Sequence, residues 1–161
     1  MQTVLKYFRR AARSRGFGVH SPFAYTFITE VLHPSPCYAY YAYDVVGSDA
    51  RMRLLVRLLA YFDPATIAID VADSAPKVRA AVQAACRRAR IVEEDADFIV
   101  TDSSTPYRTD VNMLILGKNA RAVLADLRAR MTTGMSFALG KDCAVVVPAS
   151  HLPRQDFDIK L

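Results

Sequence analysis

The residues of this chain with the clearest chemical potential are grouped around one turn. Asp70 sits near the end of the β-branched run 66–71. Ala72, Asp73, Ser74 and Ala75 then lead to Pro76, which opens an amphipathic helix predicted to run to about Ala89. Strand, turn and helix in this order leave backbone N–H groups free at the helix start, where open α/β folds hold phosphates and nucleotides. Glycines normally let the backbone approach such a ligand, and none of the four turn residues is glycine. The turn therefore offers main-chain donors and one carboxylate, with β-carbons standing where approach should be closest. Glu93 and Glu94 follow a weak strand, and Asp102 ends a better one. Asp102 and Asp110 alone make no metal site, and the plainer reading of Asp102 is a surface or capping carboxylate.

A second group lies near the N-terminus. Ser21 is a good N-cap and Pro22 suits the first helical position, so a helix is predicted from Pro22 to about Leu32. His20 precedes the cap. A general base or a ligand contact is conceivable there, but no carboxylate or nucleophile accompanies it in sequence, and a hydrogen-bonded structural histidine is the simpler reading. Further on, Tyr38, Tyr40, Tyr41 and Tyr43 could stack on a purine ring, although aromatic packing beneath a loop is the commoner use of such a run.

Composition narrows the class. The chain has 161 residues, 52% hydrophobic and 23% charged, enough for one domain with its own core. It contains no run of eighteen apolar residues, hence no expected transmembrane segment. Cys37, Cys86 and Cys143 are far apart, as structural thiols in a reducing, cytoplasmic setting would be, and they suggest neither a metal site nor a redox pair. The net charge of +5 lies in the first sixty residues, where Lys6, Arg9, Arg10, Arg13, Arg15, Arg51, Arg53 and Arg57 face only Glu30, Asp44 and Asp49. Such a segment could bind nucleic acid, an anionic membrane or an acidic partner, while a solvated helix face is the plainer alternative.

The elements that must position these groups follow from periodicity. Residues 2–14 are predicted as a basic amphipathic helix with Val4, Leu5, Phe8 and Ala12 near one side, read as part of the mature fold. It is expected to pack on the domain or on a second copy, giving a homodimer. Ser48 is the expected cap of a helix ending at Phe62. The run Arg90–Glu93 and the strand Asp97–Thr101 are too close to be consecutive parallel strands in a doubly wound sheet, so the first is expected to be a vestige or half of a local antiparallel turn. A strand at Asn112–Leu116, a helix at Asn119–Met131 and a β tail complete the chain. The tail comprises Met135–Leu139, Cys143–Val147 and a last strand near Phe157–Leu161. The apolar strands are expected to be buried between helices on both faces.

This order resembles the class I S-adenosylmethionine-dependent methyltransferases, whose sheet ends in an antiparallel strand. The stretch RSRGFGVHSPFAYTFITEVL is similar to the N-terminal HGVHSPF-like signature of a bacterial subgroup, and the C-terminal MSFALGKDCAVVVPASHLPRQDFDIKL is similar to its final hairpin. The resemblance covers nearly the whole chain. It implies a reduced Rossmann-like α/β fold, mostly parallel with a C-terminal antiparallel hairpin, in which an N-terminal helical extension (1–62) precedes the core (63–161). It also implies S-adenosylmethionine as the cofactor of an active member, with Asp70, Ala72 and Ser74 at the acidic-x-Gly-x-Gly turn, Glu93 or Glu94 at the ribose and Asp102 closing the fourth strand. The acid is kept, both glycines are replaced, and the elements between Glu94 and Asp102 are missing. The expectation is a methyltransferase-like protein without cofactor or catalysis, acting in binding or regulation. The alternatives are an active O-methyltransferase or a basic adaptor for nucleic acid or membrane.

Overall fold

The structure is a computed structural model and describes residues 21–34, 41–103 and 108–160. His20, Tyr38, Tyr40, Cys37 and the basic stretch 2–14 lie outside the described residues. Ser21 accepts a hydrogen bond from Ala24 N at 3.3 Å and caps α1 (Pro22–Thr26), with Pro22 at its start as expected. The same helix then widens into a π-helical turn, Phe27–Leu32, closed by His33 N donating to Ile28 O at 2.8 Å. The wider turn puts Phe27, Ile28, Val31 and Leu32 all in the core.

A short helix, α2 (Tyr43–Val46), precedes α3 (Ala50–Phe62). The cap of α3 is Asp49, which accepts from Arg51 N and Met52 N, and not Ser48. A carboxylate acceptor at a helix N-terminus also meets the positive end of the helix dipole, so the aspartate outcompetes the hydroxyl one residue earlier. Arg57 on α3 is buried, and each of its guanidinium nitrogens donates: to Val31 O, to Leu32 O at 3.1 Å and to the Tyr43 hydroxyl at 2.9 Å. These bonds satisfy carbonyls that the end of the π-helical turn would leave bare.

The sheet has seven strands: β1 (Thr66–Asp70), β2 (Arg90–Val92), β3 (Phe98–Thr101), β4 (Asn112–Leu116), β5 (Met135–Leu139), β6 (Cys143–Val147) and β7 (Gln155–Ile159), in the order β2-β1-β3-β4-β6-β5-β7. Two helices connect them: α4 (Ala75–Ala85) after β1 and α5 (Ala120–Arg130) after β4. The chain is thus α/β with a mostly parallel sheet, in which β6 runs antiparallel to β4 and β5. Helix α4 stops four residues before the predicted end at Ala89, and β7 begins two residues before the predicted Phe157.

The region after α4 corrects the expected strand arrangement. Both β2 and β3 pair parallel with β1, one on each side, with Thr66 opposite Arg90 and Ile67 opposite Phe98. The chain returns across β1 in residues 93–97 alone. Two strand spacings are roughly 9.5 Å and five extended residues span up to about 17 Å, so no helix is needed when the strand to be retraced is only three residues long. Asp97 anchors the return: its carboxylate accepts from Ala65 N at 3.1 Å and Thr66 N at 3.0 Å, while its own N–H donates to Thr66 Oγ1 at 3.0 Å. Asp95 absorbs the reversal at φ 51°, a conformation that Asp tolerates better than most residues.

On one face of the sheet Ile67, Phe98, Val100, Leu114, Leu116, Phe137, Val145 and Val147 are buried against α1, its π-helical turn, α3 and α4. The central ring is Phe27, which lies 5.0 Å from Phe137, 5.4 Å from Tyr61 and 5.9 Å from Phe62 between centroids. The helices of 22–62 therefore share one core with the strands. The other face is covered over β4, β6 and β5 by α5, through Val123, Leu124 and Leu127. Among the described residues no helix covers it over β2, β1 and β3, which departs from the expected two-sided burial. At the far side Gly134, at φ 88°, lets the chain after β6 cross beside it; a β-carbon there would come within 2.5 Å of Val147 O.

Candidate functional site

The carboxyl ends of β1, β3 and β4 meet where the strand order reverses, the usual ligand edge of an open α/β sheet. Asp70 is exposed there at the end of β1, and the turn to Ser74 follows. Ser74 occupies the cap position of α4 but makes no side-chain cap bond, and Pro76 takes one of the first two helical positions. Asp102, immediately after β3, donates its N–H to Asp70 O at 3.0 Å, and its carboxylate accepts from Ala72 N at 3.0 Å. Gly117, after β4, closes the crevice with its backbone at φ 90°, where a β-carbon would lie 3.5 Å from Asp102 Cβ.

The bond from Ala72 to Asp102 decides what this edge can do. A nucleotide-binding turn works because its N–H groups point at the ligand without a partner, and here one of them is already held by a carboxylate of the same chain. That carboxylate brings negative charge to the place where an anionic ligand would sit. Asp102 is therefore the capping aspartate of the plainer reading, fixing the turn after β1 to the end of β3.

Asp70, Glu93 and Glu94 do come together. With Arg79 of α4, they line a cleft of about 830 Å³ whose floor is made by Ala68, Val92 and Ile99. This is the uncovered part of the second sheet face. None of the three acids is ion-paired among the described residues. Arg108 closes one end of the cleft. It donates to both Asp110 carboxylate oxygens, at 2.9 and 2.8 Å, and to Asp95 at 3.1 Å. That fork holds the Asp110 carboxyl below the usual carboxylate range, mainly through the hydrogen bonds. Arg79 and Arg108 carried no weight in the sequence reading; the Arg108-x-Asp110 spacing, which suits a local ion pair, was the available signal.

Ser21 is not part of this edge. Phe23, on its helix, lines the adjoining cleft of about 580 Å³ with Phe62, Pro148 and His151, at the amino ends of β3 and β4. A strand's length separates it from Asp102. Among the described cations of the N-terminal third, Arg57 is buried, Arg51 pairs with Asp142 at 3.2 Å, and Arg53 bonds Gly47 O and lies 5.0 Å from the Tyr43 ring centre. These three hold the fold together.

The described residues contain no cluster of three or more His, Cys, Asp or Glu side chains that could hold a metal ion. The two described cysteines are buried, and burial pushes the Cys143 thiol up to about 12 and raises that of Cys86. Both are thus poor nucleophiles in the folded state. Among the described residues no helix is long and apolar enough to cross a membrane. No protein-family model matches the chain, and neither a curated protein nor a solved structure matches it.

Proposed function

We propose that this chain is a methyltransferase-like α/β protein, cytoplasmic in setting, that does not use S-adenosylmethionine and acts as a binding or regulatory protein. The observation that carries the reading is the Asp102 carboxylate on Ala72 N, which occupies the donor an active turn would keep for its ligand. Two further features support it. Ala72 and Ser74 carry β-carbons where the resemblance calls for glycine, and residues 93–97 replace the helices that would wall an adenosine pocket. The antiparallel β6 between β4 and β5 suits the resemblance in topology. The residues of the turn do not fit the cofactor.

The active O-methyltransferase remains the second reading because Asp70 lines one cleft with Glu93 and Glu94, as acids beside the cofactor's amino acid portion and its ribose would. A titration separates the two readings. Ligand at a hundredfold excess over its dissociation constant adds about 2.7 kcal/mol to stability, several degrees in Tm for a chain of this size. We expect no shift in Tm at millimolar S-adenosylmethionine and a flat calorimetric trace. A saturable signal abolished by Asp70→Ala would overturn the loss of the cofactor and favour the active methyltransferase instead.

A further inference from the structure

The uncovered half of the second sheet face has a charge pattern with a counterpart in this same chain. Its floor is apolar, formed by Ala68, Val92 and Ile99, and Ala96 from the crossover is buried against that face. Its rim carries Asp70, Glu93 and Glu94, all exposed and without ion pairs among the described residues, against Arg79 and an Arg108 already paired with Asp95 and Asp110, so the unpaired acids outnumber the unpaired cation three to one. The first twenty residues hold Lys6, Arg9, Arg10, Arg13 and Arg15 and no acid, whereas the rest of the chain carries cations and acids in equal number. All of the net charge therefore resides in one short segment, and that segment has an apolar side at Val4, Leu5, Phe8 and Ala12.

We propose that residues 2–14 dock in cis on the open face of β2, β1 and β3, apolar side to the floor and arginines to the acidic rim. The chain's path makes this reachable. The described structure begins at Ser21, and Phe23 lines the cleft at the amino ends of β3 and β4. That cleft shares Asp95, Ala96 and Arg108 with the acidic one, so the two are contiguous. Residues 15–20 extend up to about 20 Å, and a thirteen-residue helix is about 20 Å long, enough to overlie strands of three to five residues, roughly 10–17 Å each. Among the described residues this half has no helical cover, since α5 lies over β4, β6 and β5. The inference rests on the groove and its charges and is independent of whether the cofactor binds.

The test uses the full chain without any ligand. Trypsin should cut the bonds after Lys6, Arg9, Arg10, Arg13 and Arg15 slowly at low salt. The double variant Glu93→Lys/Glu94→Lys should speed those cuts by roughly tenfold, because proteolysis follows the population of released segment. The reciprocal exchange, which adds Arg9→Glu/Arg10→Glu, should restore protection at the remaining Lys6, Arg13 and Arg15 sites. Circular dichroism checks that both variants are folded, and the substituted acids are exposed and outside the core. Cleavage indifferent to the rim charges, or not rescued by the exchange, overturns the proposal. Protection that rises with protein concentration overturns docking in cis, since the occupant is then the segment of a second copy.

Discussion

The second face of the sheet is two different surfaces. Over β4, β6 and β5 it is an ordinary α/β layer: α5 lays Val123, Leu124 and Leu127 onto Met113, Ile115, Ala144 and Val146, and Arg128 reaches past the helix to Ser136 Oγ at 2.7 Å. Over β2, β1 and β3 the described residues offer as cover only the irregular return 93–97, in which Ala96 is the one buried side chain. Both surfaces belong to one continuous ladder of strands. Strand pairing together with packing of the first face holds β2, β1 and β3 in the sheet, and among the described residues their second face stays open.

The sharpest way to break that contrast is to empty each half in turn. Leu127, fully buried on the sheet-facing side of α5, should cost about 2–5 kcal/mol on Leu127→Ala, the range for a large core truncation, read as a fall in the urea midpoint. On the open half the anchor matters more than the packing. Asp97→Ala removes the acceptor for Ala65 N and Thr66 N and should cost about 1–2 kcal/mol, with faster hydrogen exchange confined to β1 and the 93–97 crossover. If Asp97→Asn does as much damage, the bond geometry has been misjudged, since the amide oxygen keeps an acceptor there.

Val92, half-buried on the open floor, should lose under about 1 kcal/mol on Val92→Ala in the Glu93→Lys/Glu94→Lys background, where little of its surface leaves water, and more in the otherwise native chain, where segment 2–14 lies over it. An equal small loss in both backgrounds would mean that the open half stays uncovered in solution.

The smallest expected effect is a pH dependence. His33, after the π-helical turn, has its Nε2 buried without a partner among the described residues. Burial first, and then the Arg57 charge, hold its pKa below the ordinary histidine value, against a hydrogen bond with the Lys160 backbone that raises it. The unfolded chain therefore takes up this proton more readily than the folded one. The contribution is complete above about pH 6.5 and is lost as pH falls through the folded value, so Tm should decline between pH 7 and 5. His33→Gln should flatten that slope.

Much of this architecture was legible in the residues. Ser21-Pro22 announced a cap and a first helical position; the apolar runs at β1, β3 and β4 announced buried strands; and Gly140-Lys141-Asp142 between two apolar runs announced the hairpin. These signals are local, because a cap, a turn or a periodic face is decided by residues within one or two turns of chain. The candidate acids were legible as well, since acids ending strands gather at the carboxyl edge of any parallel sheet.

Only the tertiary structure placed β2 and β3 on opposite sides of β1, since sequence distance measures the length of a connection and not the side of a strand to which it leads. Only the fold brought Asp102 to Ala72, thirty residues away, and so turned an open ligand edge into one closed by its own carboxylate. Likewise, the cations at Arg51, Arg53 and Arg57 read as surface charge until α3 packed and gave them carbonyls, a ring and an aspartate to meet. An element forms from its neighbours in sequence, whereas the partner of a charge or an N–H is whatever the folded chain brings within 3 Å or so, and that is set by the packing of the whole sheet.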